Sequence, residues 1–195
     1  MQKKFLGDCN DVVKRAVLQA LQGSAKWSVH PMLTESLAAA ELAEYQTILG
    51  AESISEEILT AGEDPDGEGR RAAYFRGAAS CGALFIDPDL GLRANCERRR
   101  RQHYLFPDEL VWLAGERPQH LTVVFDLGDG RGNEEAHVKP KLRSLLRRGI
   151  SVFAYCGHPS FIIAGANESM VDSARHRMRQ SLAVPSHRFV SKRDL

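Results

Sequence analysis

The residues best placed to do chemistry stand where an apolar run gives way to acid: Leu84-Phe85-Ile86-Asp87-Pro88-Asp89-Leu90-Gly91. The run predicts a buried strand. In open α/β sheets, ligands bind just outside the carboxyl ends of strands. Asp87 is therefore a candidate catalytic carboxylate, although a polar turn capping the next segment would carry the same residues. Two later runs end in a similar way. Residues 121–125 lead into Asp126, and residues 150–155 lead into Gly157-His158-Pro159-Ser160. A histidine at a strand end can donate to a developing anion or act as acid and base. Alone, His158 reads more readily as a turn histidine satisfied by backbone. Beside Asp87 it becomes part of a candidate site.

The elements that would position these groups follow from periodicity. Asp8 is a candidate N-cap for a helix over about 9–22, with Val13, Ala16, Val17, Ala20 and Leu21 on one stripe and Gly23 at its end. A strand over 26–33 precedes a helix from Thr34 to Leu49. Residues 50–70 are acidic and turn-rich, and Glu63–Gly69 reads as a surface loop or lid. A helix near 70–79 leads to the strand at 83–87. Then come a basic loop, a short helix after Pro107, a strand at 121–126 and a helix over 134–148 that Pro140 would kink or delay. A strand at 150–156, an apolar run at 161–166, a helix over 169–182 and a strand at 187–191 complete the chain. Strands alternating with helices predict an α/β fold: a three-layer α/β/α arrangement with a mostly parallel central sheet, as one domain over 1–195.

Composition narrows the function classes. The chain has 195 residues, 43% hydrophobic and 26% charged, with no apolar run of membrane-spanning length. No signal peptide is evident, and Cys9, Cys81, Cys96 and Cys156 form no Cys-x-x-Cys pair. A reducing cytoplasm is expected, with no zinc site and no obligate protein partner. The net charge of +1 is unevenly placed. Residues 1–90 hold 8 Lys+Arg against 14 Asp+Glu, and residues 91–195 hold 18 against 11. A polyanion met by the second half would explain this, as would charges that mix on the folded surface. Arg98, Arg99, Arg100 and Arg101, followed by Tyr104, suit phosphates and a stacked base, and a solvated loop is the commoner fate of such a run. Gly128–Gly132 lacks the spacing of a phosphate-binding loop and reads as a turn.

Asp87-Pro88 and His158-Pro159-Ser160, in that order, resemble the motifs of the uracil-DNA glycosylase superfamily. In its best-known branch one strand ends in Asp-Pro-Tyr-His and a later one reaches His-Pro-Ser-Pro. The resemblance implies hydrolysis of the N-glycosidic bond of a flipped nucleotide in DNA, with Asp87 at the sugar and His158 at the leaving base, and no metal or organic cofactor. Asp89, Asp8, Phe85, Asp126 and Ser160 are then candidate substrate contacts. This sequence departs from the pattern at Asp89, Leu90 and Phe161. In the resembled motif a tyrosine fills the space beside C5 of the pyrimidine. Aspartate at that place leaves room and an acceptor, which implies a C5-modified pyrimidine and a role in defence against DNA carrying one. A wider pattern resembles a set of uncharacterised bacterial proteins. It comprises Gly7, Asp8, Asp11 and Lys14, then Met32-Leu33-Thr34, Asp66-Gly67, Tyr74 and Phe85–Asp89, and implies that Asp8 and Lys14 join Asp87 on one surface.

Three other functions compete. Phe85-Ile86-Asp87-Pro88 also resembles the start of the Asp-Pro-Pro-Tyr strand end of amino-methyltransferases, but no glycine-rich loop for S-adenosylmethionine accompanies it. Asp8, Asp87, Asp89 and Asp126 could converge on Mg²⁺ as in a metal-dependent nuclease. A non-catalytic module could bind nucleic acid through the basic half alone.

Overall fold

The computed structural model describes residues 6–23, 26–59, 68–79, 82–94, 98–128 and 133–195. The Glu63–Gly69 loop lies largely outside this set, as do Asp66, Cys81, Cys96, 129–132 and the side chains of Arg98 and Arg99. The fold is mixed α/β. Helices α1 (Cys9–Gln22), α2 (Ala39–Leu49), α3 (Glu68–Ala79), α4 (Pro107–Glu116), α5 (Glu134–Arg147) and α6 (Glu168–Leu182) accompany a seven-stranded sheet. Its strands are β1 (Trp27–His30), β2 (Ser53–Ile54), β3 (Ala83–Ile86), β4 (Thr122–Asp126), β5 (Ser151–Tyr155), β6 (Ser160–Gly165) and β7 (Phe189–Ser191).

The strand order is β2-β1-β3-β4-β6-β5-β7. The pairings from β2 to β4 are parallel, and those through β6, β5 and β7 are antiparallel. The expected mostly parallel sheet is thus found in a mixed form, with β6 and β7 running against the other five strands. The cause is the short turn between β5 and β6. A parallel crossover needs a dozen or more residues, so β6 must return antiparallel, and it inserts between β4 and β5. As a result β3, β4 and β5 point the same way, and their carboxyl ends share one edge of the sheet.

Side chains alternate between the two faces of a strand, and the core divides accordingly. One apolar cluster joins Val17, Leu18 and Leu21 of α1, Leu42 and Tyr45 of α2, and Val171 and Met178 of α6 to Val29, Phe85, Val123 and Phe125. The other joins Phe75 of α3, Leu110 and Leu113 of α4, and Val138 and Leu142 of α5 to Leu84, Ile86 and Val124. Local signals start the helices. Asp8 caps α1 by accepting from the Asn10 and Asp11 amides. Glu109 Oε2 accepts from the Phe106 amide at the start of α4, where Pro107 fills the first helical position. The α5 helix starts at Glu134, capped by Asn133, so Pro140 does not delay it.

One buried polar residue sets a pH dependence. His30 ends β1 at 5% exposure, with its ring edge-to-face on Tyr74 and Nδ1 buried without a partner among the described residues. Burial, aided by the Arg117 charge, pushes its pKa down to about 4. The unfolded chain binds this proton near pH 6.5, so between these values the unfolded state holds more protons than the folded one. Stability is therefore present above pH 6.5 and falls as pH drops towards 4, by about 3 kcal/mol from this group. Urea midpoints measured from pH 7 to pH 4 should fall more steeply for the native chain than for His30→Gln. Equal slopes would contradict the assignment.

Candidate active site

Asp87 follows β3 on the face of Phe85, and its amide donates to the His30 carbonyl (2.9 Å), extending the ladder. Its side chain is buried at 4% exposure. Oδ2 accepts from Lys14 Nζ (2.8 Å) and from the Tyr45 hydroxyl (2.5 Å). Lys14 also donates to Asp11 Oδ1 (2.9 Å), and its ammonium lies 4.5 Å from the centre of the Phe125 ring. Asp11 and Lys14 sit three apart on α1 and so share a face. Asp11 is fixed in turn by the Gly7 amide, which donates to Oδ2 (2.7 Å).

The groups around Asp87 are held in their proton-donating forms. Burial alone would push the Lys14 pKa down, but the Asp87 and Asp11 carboxylates outweigh it and raise it above the usual lysine value. Lys14 stays an ammonium. Burial, then the Asp87 charge, raises Tyr45 well above an ordinary phenol, so its hydroxyl stays protonated and donates. Burial also raises Asp11, against the pull of Lys14. Among the described residues no hydrogen bond reaches Asp87 Oδ1, and the side chain lines a cavity of about 80 Å³ with Asp8, Asn10, Lys14, Pro88, Asp89, Phe125 and Leu127.

The arrangement gathers part of the set the sequence singled out. Asp8, Lys14, Asp87 and Asp89 come together. Asp89 is half-buried, facing His103 Nδ1 across 2.7 Å and accepting from the Thr34 hydroxyl (3.4 Å). His158 does not join them. It sits in the β5–β6 turn with its side chain 63% exposed, Nδ1 3.4 Å from Glu134 of α5, and it is not among the residues lining the Asp87 cavity. The reason is the hairpin: it carries His158 to the same sheet edge as Asp87, but two strands away and towards the α5 side.

Four further expectations are corrected by burial. Phe85 is fully buried in the core and is not among the residues lining the Asp87 cavity. Ser160 is fully buried and donates to the Gly157 carbonyl (3.0 Å). Tyr104 is 6% exposed and its hydroxyl accepts from Arg93 (3.0 Å), so its ring is closed to a stacking base. Asp126 lies on the opposite face from Asp87, fully buried, and accepts from Lys141 Nζ (2.6 and 2.9 Å) and the Leu92 amide (3.3 Å). It anchors the loop after Asp89 to β4. Asp126 therefore stands apart from Asp8, Asp87 and Asp89, and among the described residues no group of three or more His, Cys, Asp or Glu is placed to hold a metal ion.

The basic run forms a 3-10 helix (Arg98–His103) bound to the same loop: the Leu90 amide donates to the His103 carbonyl (3.0 Å) and the Leu105 amide to the Gly91 carbonyl (3.1 Å). Arg100 is exposed, and the Arg101 guanidinium stacks on the Phe106 ring at 5.0 Å. Sequence reasoning missed Tyr45, Asn10, Phe125 and Leu127. Phe125 could have been found from the alternation that puts it on the face of Phe85. Tyr45 carried no signal, since a tyrosine on an apolar helix stripe reads as core. Among the described residues no helix is long and apolar enough to cross a membrane. No protein-family model matches this chain, and no curated protein matches it.

Proposed function

We propose that this chain hydrolyses the N-glycosidic bond of a nucleotide in DNA, with Asp87 as the carboxylate beside the sugar. One observation carries the reading: Asp87 is fixed through Oδ2 by Lys14 and Tyr45, while Oδ1 has no hydrogen-bond partner among the described residues and the side chain lines a cavity at the strand edge. Breaking the bond builds positive charge on the sugar and negative charge on the departing base. A carboxylate already held by two donors stabilises the first charge without reorganising as it develops. Asp11 keeps Lys14 in place. Lys14 Nζ spends its three N–H donors on Asp11, Asp87 and Tyr45, so the part at the leaving base that the motif resemblance gives to His158 falls to Asn10 of the cavity lining, whose Nδ2 donates one N–H to Asp8 (3.0 Å) and keeps a second. At about 80 Å³ the cavity admits only the reacting edge of a nucleotide. The nucleotide must leave the base stack to present that edge.

DNA is favoured as partner because the arginine-bearing 3-10 helix is hydrogen-bonded to the loop that follows Asp87. Within this reading the base is a C5-modified pyrimidine recognised near Asp89, the setting is the cytoplasm, and the use is defence against DNA carrying such bases. The two apolar clusters support reading the architecture as three layers, α/β/α.

Incubation in EDTA with duplex and single-stranded DNAs that differ only at C5 of one pyrimidine tests the reading. Abasic sites should form without added cofactor and fastest on the modified base. Activity restricted to uracil would overturn the C5 assignment, and EDTA-sensitive strand scission without free base would overturn the glycosylase.

A further inference from the structure

A larger cavity, of about 720 Å³, opens between α3, α4 and the 3-10 helix, on the sheet face opposite Asp87. Its floor is an ion pair. Arg71 holds Glu109 bidentately (2.6 and 2.8 Å) and donates to the carbonyls of Arg101 and Tyr104 (3.0 Å each), so both of these charges are already satisfied. Arg148 at the rim is paired with Asp108 (2.7 Å). Among the described residues two cations are left without a carboxylate partner. The Arg76 guanidinium is exposed and donates only Nε, to its own helix (3.3 Å). The Arg101 guanidinium lies 5.0 Å from the centre of the Phe106 ring, as does that of Arg71, and its Nε is buried without a partner among the described residues. Beside them Trp112 lines the cavity at 38% exposure, one of the few large apolar side chains left open.

Guanidinium groups without carboxylates match a phosphate, which they can grip through paired N–H donors. An open indole matches a flat heterocycle. The volume falls in the range of small-molecule sites. We propose that this cavity is a nucleotide-binding site, with Arg76 and Arg101 on the phosphate and Trp112 against the base. It is independent of the reading of Asp87. The 3-10 helix joins the two places, since it carries Arg101 and, two residues on at its C-terminal end, His103, the partner of Asp89.

Tryptophan fluorescence tests it, because Trp27 is buried at 2% exposure and Trp112 is the tryptophan that lines the cavity. The full chain is titrated with nucleoside monophosphates, with the matching nucleosides, with inorganic phosphate and with oligothymidylate. Saturable quenching by the monophosphates is expected, about tenfold or more tighter than by nucleoside or phosphate alone. Arg76→Gln and Arg101→Gln should each weaken it about fivefold or more at unchanged melting temperature. Trp112→Phe should remove the quench while calorimetry still detects binding. Saturation by the oligonucleotide alone would keep the chemistry and make a DNA strand its source. Absent saturation, equal binding of nucleoside or phosphate, or arginine variants that bind like the native chain would overturn the proposal.

Discussion

Asp87→Asn is expected to lower the rate of base release by about 10³-fold while leaving substrate affinity within a few-fold. Asparagine fits the same volume, and its carbonyl can still accept from Lys14 or Tyr45, so the frame around it survives. What is lost is the negative charge facing the sugar, which matters only as the bond breaks. The expected signature is therefore a fall in kcat with little change in KM. Lys14 keeps Asp11 as a partner at 2.9 Å, so the variant should fold. Circular dichroism and a melting curve check that before rates are compared. A variant that released bases at the native rate would remove Asp87 from the chemistry.

Gly91→Ala is expected to cost about 4 kcal/mol or more of stability. Gly91 adopts φ +93°, where side chains are strained. A methyl group there would lie 2.0 Å from Asp126 Oδ1 and 2.9 Å from the Asp126 Cα. Neither atom can retreat. The carboxylate is pinned by Lys141 and the Leu92 amide, and the Cα belongs to β4, paired on both sides. Gly115, in α4 with nothing within 4 Å of an added Cβ, is the control. Alanine there should be neutral or stabilise by up to about 1 kcal/mol. Urea unfolding of both variants measures the difference, and two equal free energies would contradict the packing described.

This contact also explains why the acid at the end of β4 misleads a reader of the sequence. Asp126 ends its strand as Asp87 ends the neighbouring one, and both look like candidate site groups. The strands pair Phe85 with Val123 and Ile86 with Val124. Asp87 therefore falls level with Phe125 and shares its face, while Asp126 shares the face of Val124. Alternation alone separates the two acids once the register is known, and the register is a long-range fact.

Local features were legible for the same reason that others were not. Helix α1 was bounded by Asp8 and Gly23, a cap and a stop that act within a few residues. The helix expected from Thr34 begins at Ala39 instead, and the Thr34 hydroxyl reaches Asp89, a partner far along the chain. Strand β2 was missed because it is two residues long and is defined by its parallel pairing with β1. In the site, Asp8 and Asp87 could be picked out as polar residues at a helix start and a strand end, and Asp11 and Lys14 through the wider pattern that resembles a set of bacterial proteins. Tyr45 could not, since only the docking of α2 beside α1 turns a core tyrosine into a donor for Asp87. His158 was overvalued because a motif fixes its neighbours in sequence, whereas the β5–β6 hairpin fixes them in space.

The most direct test is hydrolysis in water enriched in a heavy oxygen isotope, with base-modified DNA as substrate and the products read by mass spectrometry. Free modified base together with label on the resulting abasic sugar, both lost in Asp87→Asn, is the predicted result. Intact DNA under every substrate, or label and free base undiminished in Asp87→Asn, would contradict the account.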